Sequence, residues 1–214
     1  MSKSITVNMS QGTAQALNSG KFTLYAFKGV QAFPNNGLPL AWFSIGHFNQ
    51  SNTITWTEAY EAYSTNTSIT AGSTISPLFN TAINIGQTLQ IDSSGKGTVV
   101  NGQPGVISLT STSVSLAGGV SQPAGNKASA ICVFPVLGNT VQITPIDQLL
   151  LMMSNTNIKT GTIVTQTVGN SVVVDVTAGN SATVTFDING GWSGGTTNVP
   201  AGSSTVPLLI KNQP

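Results

Sequence analysis

Few side chains in this sequence can do chemistry. It has one histidine, His47, one cysteine, Cys132, and six acids. His47 is the one histidine that could serve as a base for a Ser-His-Asp arrangement, which needs the imidazole oriented by a partner. It sits in SIGHFNQ beside aromatics, and no G-x-S-x-G elbow is present; a packed or surface histidine is the plainer reading. Glu58 and Glu61 could form the carboxylate pair of a glycosidase. On a helix they would lie near one another, but on a strand they would point to opposite faces. Structural zinc needs clustered Cys and His ligands, which one of each, far apart in the chain, does not supply. Asp187-Ile188-Asn189-Gly190-Gly191 is like the start of a calcium loop, but the later acidic ligands are absent; a strand end with a turn accounts for it. Ser94-Gly95-Lys96-Gly97-Thr98 sets a lysine among glycines without satisfying the phosphate-loop pattern. The expectation is a non-enzymatic protein with no catalytic residue, no metal and no cofactor.

Binding is a different matter. Trp192 stands in NGGWSGGTTN, a glycine-rich stretch flanked by Asn189 and Asn198. An indole on such a loop can stack on the apolar face of a sugar, with the two amides bonding its hydroxyls. The alternative is that Trp192 folds back as a lid on the core.

The residues that would position these groups carry little charge. Charged residues make up 6% of the chain, against about 25% in ordinary domains. There is no arginine, the seven lysines are scattered, and the net charge is +1. Nucleic-acid binding leaves a basic patch or stripe, so no nucleic-acid partner is expected. A surface of Ser, Thr, Asn, Gln and Gly stays hydrated, yet near-zero charge does little to hold copies apart. Homo-oligomers are therefore expected. Cys132 has no partner for an intramolecular disulfide, and within AICVFPVL it reads as a buried, inert thiol.

Short β-rich runs separated by Gly, Asn and Ser turns predict an all-β fold, an antiparallel β-sandwich (jelly-roll-like or related) of about a dozen short strands. A single domain over residues 1–214 fits this length. Ser4–Met9 reads as a strand. SQGTAQALNSG reads as loop, and residues 1–20 could be an arm that pairs with another copy. Phe22–Val30 has apolar residues on both faces and reads as a central, buried strand. Residues 22–63 hold ten of the fourteen aromatics, chiefly as core. Thr53–Ser64 fits a helix through Trp56, Ala59, Tyr60 and Tyr63, but Ile54, Trp56, Glu58 and Tyr60 alternate, and a strand is favoured. Asp92-Ser93-Ser94-Gly95 reads as a hairpin tip, 113–117 as a strand and 123–127 as a loop. Ile146–Met153 reads as strand or helical turn, and Ile158–Val168 as a long alternating strand. Ser171–Thr177 and Ala182–Ile188 read as the clearest hairpin in the chain.

Leu40-Ala41-Trp42-Phe43-Ser44 and the later Trp56, within FTLYAF, LAWFS and TITWTEAYEAYS, carry a pattern over residues 22–91 that resembles the RhiA-like rhizosphere-expressed proteins. The resemblance implies an abundant, leaderless, non-enzymatic bacterial β protein and brings no site residue with it.

Three functions are compatible with these features. The first is a structural protein that self-assembles through strand edges, as a filament, crystal or surface-layer subunit. The second is a leaderless carbohydrate-binding lectin with glycans as ligands. The third is a pore-forming β protein in which Ile158–Val168 contributes a hairpin. MSKSITVNMSQGTAQ lacks the apolar core of a signal peptide, and no run approaches a membrane span. Synthesis in the cytoplasm without stable membrane insertion is expected, with later release or surface association left open.

Overall fold

A computed structural model describes residues 2–113, 115–125 and 127–213. The strand expected at 113–117 and the loop expected at 123–127 include Val114 and Asn126, which lie outside the described residues; of the rest, Ser113, Ser115 and Leu116 are not strand, while Pro123, Ala124 and Lys127 are. In chain order the elements are β1 (Ser2–Asn8), α1 (Gln11–Ser19), β2 (Thr23–Phe33), β3 (Leu38–Pro39), β4 (Phe43–Ile45), β5 (Ser51–Thr57), β6 (Tyr60–Thr65), β7 (Phe79–Ile83), β8 (Gln87–Ile91), β9 (Gly97–Asn101), β10 (Ile107–Ser111), β11 (Ala117–Ala124), β12 (Lys127–Pro135), β13 (Thr140–Ser154), β14 (Ser171–Asp175), β15 (Ser181–Asp187), β16 (Gly191–Ser193), β17 (Thr197–Val199), α2 (Val206–Leu209) and β18 (Ile210–Asn212).

The strands form two nine-stranded sheets that pack as a sandwich-like all-β fold. The first sheet runs β16-β15-β1-β5-β11-β12-β3, with β6 and β7 continuing from β11. The second runs β17-β14-β13-β10-β8-β9, with β2, β4 and β18 attached through β13. Most pairings are antiparallel, but β1 with β15, β8 with β10 and β2 with β18 are parallel. The core lies between the sheets. Ile5, Val7, Ile54 and Trp56 of the first sheet meet Leu24, Ala26, Val30, Leu149 and Leu151 of the second. Side chains on the opposite face of β2, Tyr25 and Phe27, join Leu150, Met152 and Val164 in a second cluster. This is why the strand is apolar on both sides.

Thr53–Ser64 is strand, as the alternation favours, though it breaks into β5 and β6 at Glu58-Ala59. Asn52, Ile54 and Trp56 face inward while their neighbours face water. Residues 146–153 are strand within β13. The hairpin tip at 92–95 joins β8 to β9, and the Asp92 carboxylate accepts hydrogen bonds from the Ser94 and Lys96 amides.

Three expectations need correction. Residues 11–19 are helical, not loop. Ser10 caps α1 by accepting from the Thr13 amide at 3.1 Å, Gly20 follows its last turn, and Leu17 is fully buried. With so few apolar positions, burial of Leu17 and Ala14 rather than an amphipathic stripe holds this helix. β1 pairs inside its own chain, between β15 and β5.

The second correction concerns 171–188. β14 belongs to the second sheet and β15 to the first, so they do not pair. Val172 and Val174 of β14 and Val184 and Phe186 of β15 enter one core from opposite sheets. The turn at 178–180 therefore carries the chain across the sandwich. Two β-rich strands joined by a short turn can pair side by side or pack face to face, and the local sequence is the same in both.

The third is 158–168, which is not a strand. Its residues make isolated bridges, Ile163 with Leu40, Thr162 with Thr74 and Gln166 with Ser204, and single bonds to the sheets such as that from the Val164 amide to the Pro39 carbonyl of β3. Adjacent residues Ile163 and Val164 are both buried, in different clusters, so the segment works as a cover over apolar surface.

Candidate functional site

The chemically richest place is inside the sandwich. Along β2 the inward-facing set is Leu24, Ala26, Lys28 and Val30, so strict alternation drives a lysine into the core. Lys28 is 1% exposed. On β1, Lys3 shares the inward face with Ile5 and Val7. The carboxylate that meets both lysines comes from β13. There the ladder with β2 is interrupted between Pro145 and Leu149, so Ile146, Asp147 and Gln148 bulge opposite Gly29. A bulge re-aims side chains, and here it presents Asp147. Gly29 permits it, because a Cβ at that position would lie 3.1 Å from the Gln148 carbonyl oxygen and 3.1 Å from Ile146 Cγ1. The Val176 amide donates to the Asp147 carbonyl at 2.8 Å and fixes the bulge from the other side.

Lys28 Nζ donates to Asp147 Oδ1 at 3.1 Å, and Lys3 Nζ donates to Asp147 Oδ2. Lys3 also pairs with Glu58 at 2.7 Å. The lysine ammonium of Lys28 lies 4.6 Å from the Trp56 ring centroid and 6.0 Å from that of Trp42. The two indoles meet edge to face at 5.8 Å. Trp42 Nε1 donates to the Gln122 carbonyl at 2.7 Å. Trp56 Nε1 and Gln122 Oε1 are buried without a hydrogen-bond partner among the described residues. A tryptophan-walled pocket of charge thus joins the two sheets.

Burial shapes the protonation of this cluster. It pushes Lys28 down to about 8, against the attraction of Asp147. For Lys3 burial acts the same way, but the hydrogen bonds to Asp147 and Glu58 outweigh it and the net direction is up. Burial would raise Asp147, yet the hydrogen bond from Lys3 and the charge of Lys28 hold it below the usual carboxylate range. Tyr60 is pushed up to about 12 by burial, with Glu58 and Asp147 adding to it. The result is one compliant amine, one firmly charged amine and a carboxylate between them.

The residues singled out by sequence lie elsewhere. His47 is exposed in a bend. Glu58 goes to Lys3 and Glu61 accepts from Asn80 at 3.1 Å, so the two glutamates are not a pair. Asp187 is taken up by the Asn189 and Gly190 amides and by the Thr13 hydroxyl. Trp192 is 6% exposed, its ring is 4.8 Å from that of Phe186, and its Nε1 donates to the Asn170 carbonyl at 2.9 Å. A ring so buried offers no open face to a sugar; Trp192 is the lid on the core. Asn198 lies beside it, donating to the Trp192 carbonyl at 3.3 Å, and both line a shallow depression of about 280 Å³. Asn189 does not reach that depression and stays in the β15–β16 turn.

Sequence reasoning passed over Lys3, Lys28 and Asp147. A signal was present for Lys28: it is the one charge on the Leu24-Ala26-Val30 face of a strand apolar on both sides. For Asp147 there was none, since the bulge that turns it inward depends on Gly29 across the ladder. A scan against family models, a search of the curated proteins and a search of the solved structures each found no match.

Proposed function

We propose that this chain is a self-assembling structural protein whose copies associate through the edges of β7 and β9. The observation that carries this reading is the state of those edges. Among the described residues β7 pairs only with β6, and β9 only with β8. The two lie beside one another on the same side of the sandwich. Both are five residues long, FNTAI and GTVVN, without a charge or a proline. Leu78 and Ile85, which flank β7, are 49% and 46% exposed. The other short edges are blunted: β3 carries Pro39, and β4, β16, β17 and β18 have three residues each. Unpaired ladder groups on an unguarded edge template pairing with another chain. A net charge of +1 supplies little repulsion between copies. The occupant that fits is a second copy of this chain, paired main chain to main chain. The resemblance of residues 22–91 to the RhiA-like proteins implies a role of the same non-enzymatic kind.

Sedimentation velocity and negative-stain microscopy over a concentration series test the proposal. Oligomers or filaments that grow with concentration are expected. The triple variant Leu78→Lys, Ala82→Lys and Thr98→Lys places charge on exposed positions of the two edges and should return a monomer with an unchanged circular dichroism spectrum. A wild-type protein that stays monomeric at every concentration sinks the idea.

A further inference from the structure

We propose that Lys28 and Asp147 are the reactants of a self-formed covalent cross-link, an amide between Lys28 Nζ and Asp147 Cγ that staples β2 to β13. The geometry supplies the parts. The amine is held 3.1 Å from Asp147 Oδ1, inside a pocket walled by Trp42 and Trp56 that leaves Lys28 1% exposed. Two groups fixed in contact react with effective molarities of about 10⁵–10⁸ M, and burial keeps water from the amine, while the Asp147 side chain, 22% exposed, leaves a way out for the product water. Asp147 also carries Lys3 on its other oxygen, and Lys3 in turn carries Glu58. That division assigns roles. Lys28, the desolvated amine, is the nucleophile. Lys3, the firmly charged amine, polarises the carboxyl and donates a proton to Oδ2 as it leaves. Glu58, half exposed, holds Lys3 in place and connects it to solvent. Tyr60, whose phenol is raised by burial and by Glu58 and Asp147, stays neutral.

The step balances without any co-reactant. A lysine ammonium and an aspartate carboxylate become an amide and one water. The Nζ–Cγ bond forms and the Cγ–Oδ2 bond breaks. Lys28 gives up two protons, and both end on the departing oxygen, one of them relayed through Lys3. The amide is neutral, so the product relieves the cost of holding these two charges in the core. In a chain whose one cysteine is unpaired, this is a covalent staple that needs no oxidising compartment. The inference concerns the single chain and stands or falls separately from assembly through β7 and β9.

Intact mass spectrometry of the purified, denatured protein reads the result directly. The expected mass is below that of the sequence by one water, with a tryptic peptide in which Lys28 is uncut and joined to the segment holding Asp147. Asp147→Asn should still link but lose ammonia instead of water. Lys28→Met should show the mass of its own sequence. Lys3→Met should accumulate unlinked protein while keeping the circular dichroism spectrum of the fold. A wild-type mass equal to the sequence mass, with Lys28 cleaved by trypsin, overturns the proposal. A cross-link mapped to Lys3 overturns the assignment of Lys28 as nucleophile.

Discussion

Lys28 Nζ lies 4.6 Å from the centroid of the Trp56 ring, two buried side chains from opposite sheets facing one another across the core. The indole packs over Lys28 Nζ and covers the Lys28–Asp147 contact. Trp56→Ala should therefore lower stability by about 3–5 kcal/mol. Trp56→Phe should cost much less, because it keeps a ring over Lys28 Nζ and removes an indole N–H that has no partner among the described residues. Urea unfolding followed by circular dichroism measures both, and equal losses for the two variants would contradict this account of the contact.

Gly29 is the position that admits the bulge of Ile146–Gln148. Gly29→Ala would set a Cβ 3.1 Å from backbone oxygen on one side and 3.1 Å from the Ile146 side chain on the other. The neighbours must shift, at a cost of about 1–3 kcal/mol. The shift should also move Asp147 away from Lys28, so this variant is expected to raise the fraction of unlinked chain in the mass spectrum. The urea midpoint reports the first effect.

Asp187 ties the β15–β16 turn to α1. Its carboxylate accepts from the Gly190 and Asn189 amides and from the Thr13 hydroxyl, which hold its pKa below the ordinary value. A carboxylate whose folded pKa is depressed adds stability that is fully present above the unfolded pKa of about 4. That stability is lost as pH falls through the folded value. Relative to Asp187→Asn, the wild type should be more stable at neutral pH, with the difference shrinking in acid. Thermal unfolding of both proteins across pH checks it, and a difference that grows in acid would reverse the sign.

Cys132 is wholly buried, and burial pushes its thiol up to about 12. The thiolate is the reactive form, so the native protein should not react with a maleimide at pH 8. After denaturation one thiol per chain should react. Rapid labelling of the folded protein would mean that β11 and β12, which enclose Cys132, open readily.

Much of the class of this protein was legible residue by residue. Alternation at Asn52, Ile54 and Trp56 makes β5 a strand with a definite inner face. The two-sided apolarity of β2 marks a strand with core on both sides. Asp92-Ser93-Ser94-Gly95 marks its hairpin. These signals are local: the pleat, the turn and the burial of one face are set by neighbours within a few residues.

What local pattern left open was decided by contacts between distant segments. β14 and β15 are β-rich runs around a short turn, as in a hairpin, yet they face one another from different sheets, with Val172, Val174 and Val184 in one core. The stretch 158–168 alternates as a strand would, yet it is held as a cover because the outer apolar face of β2, Tyr25 and Phe27, must be shielded. The charged cluster belongs to the same kind of decision. Alternation alone points Lys3 and Lys28 inward, but only the bulge opposite Gly29 brings Asp147 to meet them, and only packing of β5 against β2 sets Trp56 over the amine. Periodicity assigns a side chain to a face; which partner waits on the other side depends on how the sheets stack.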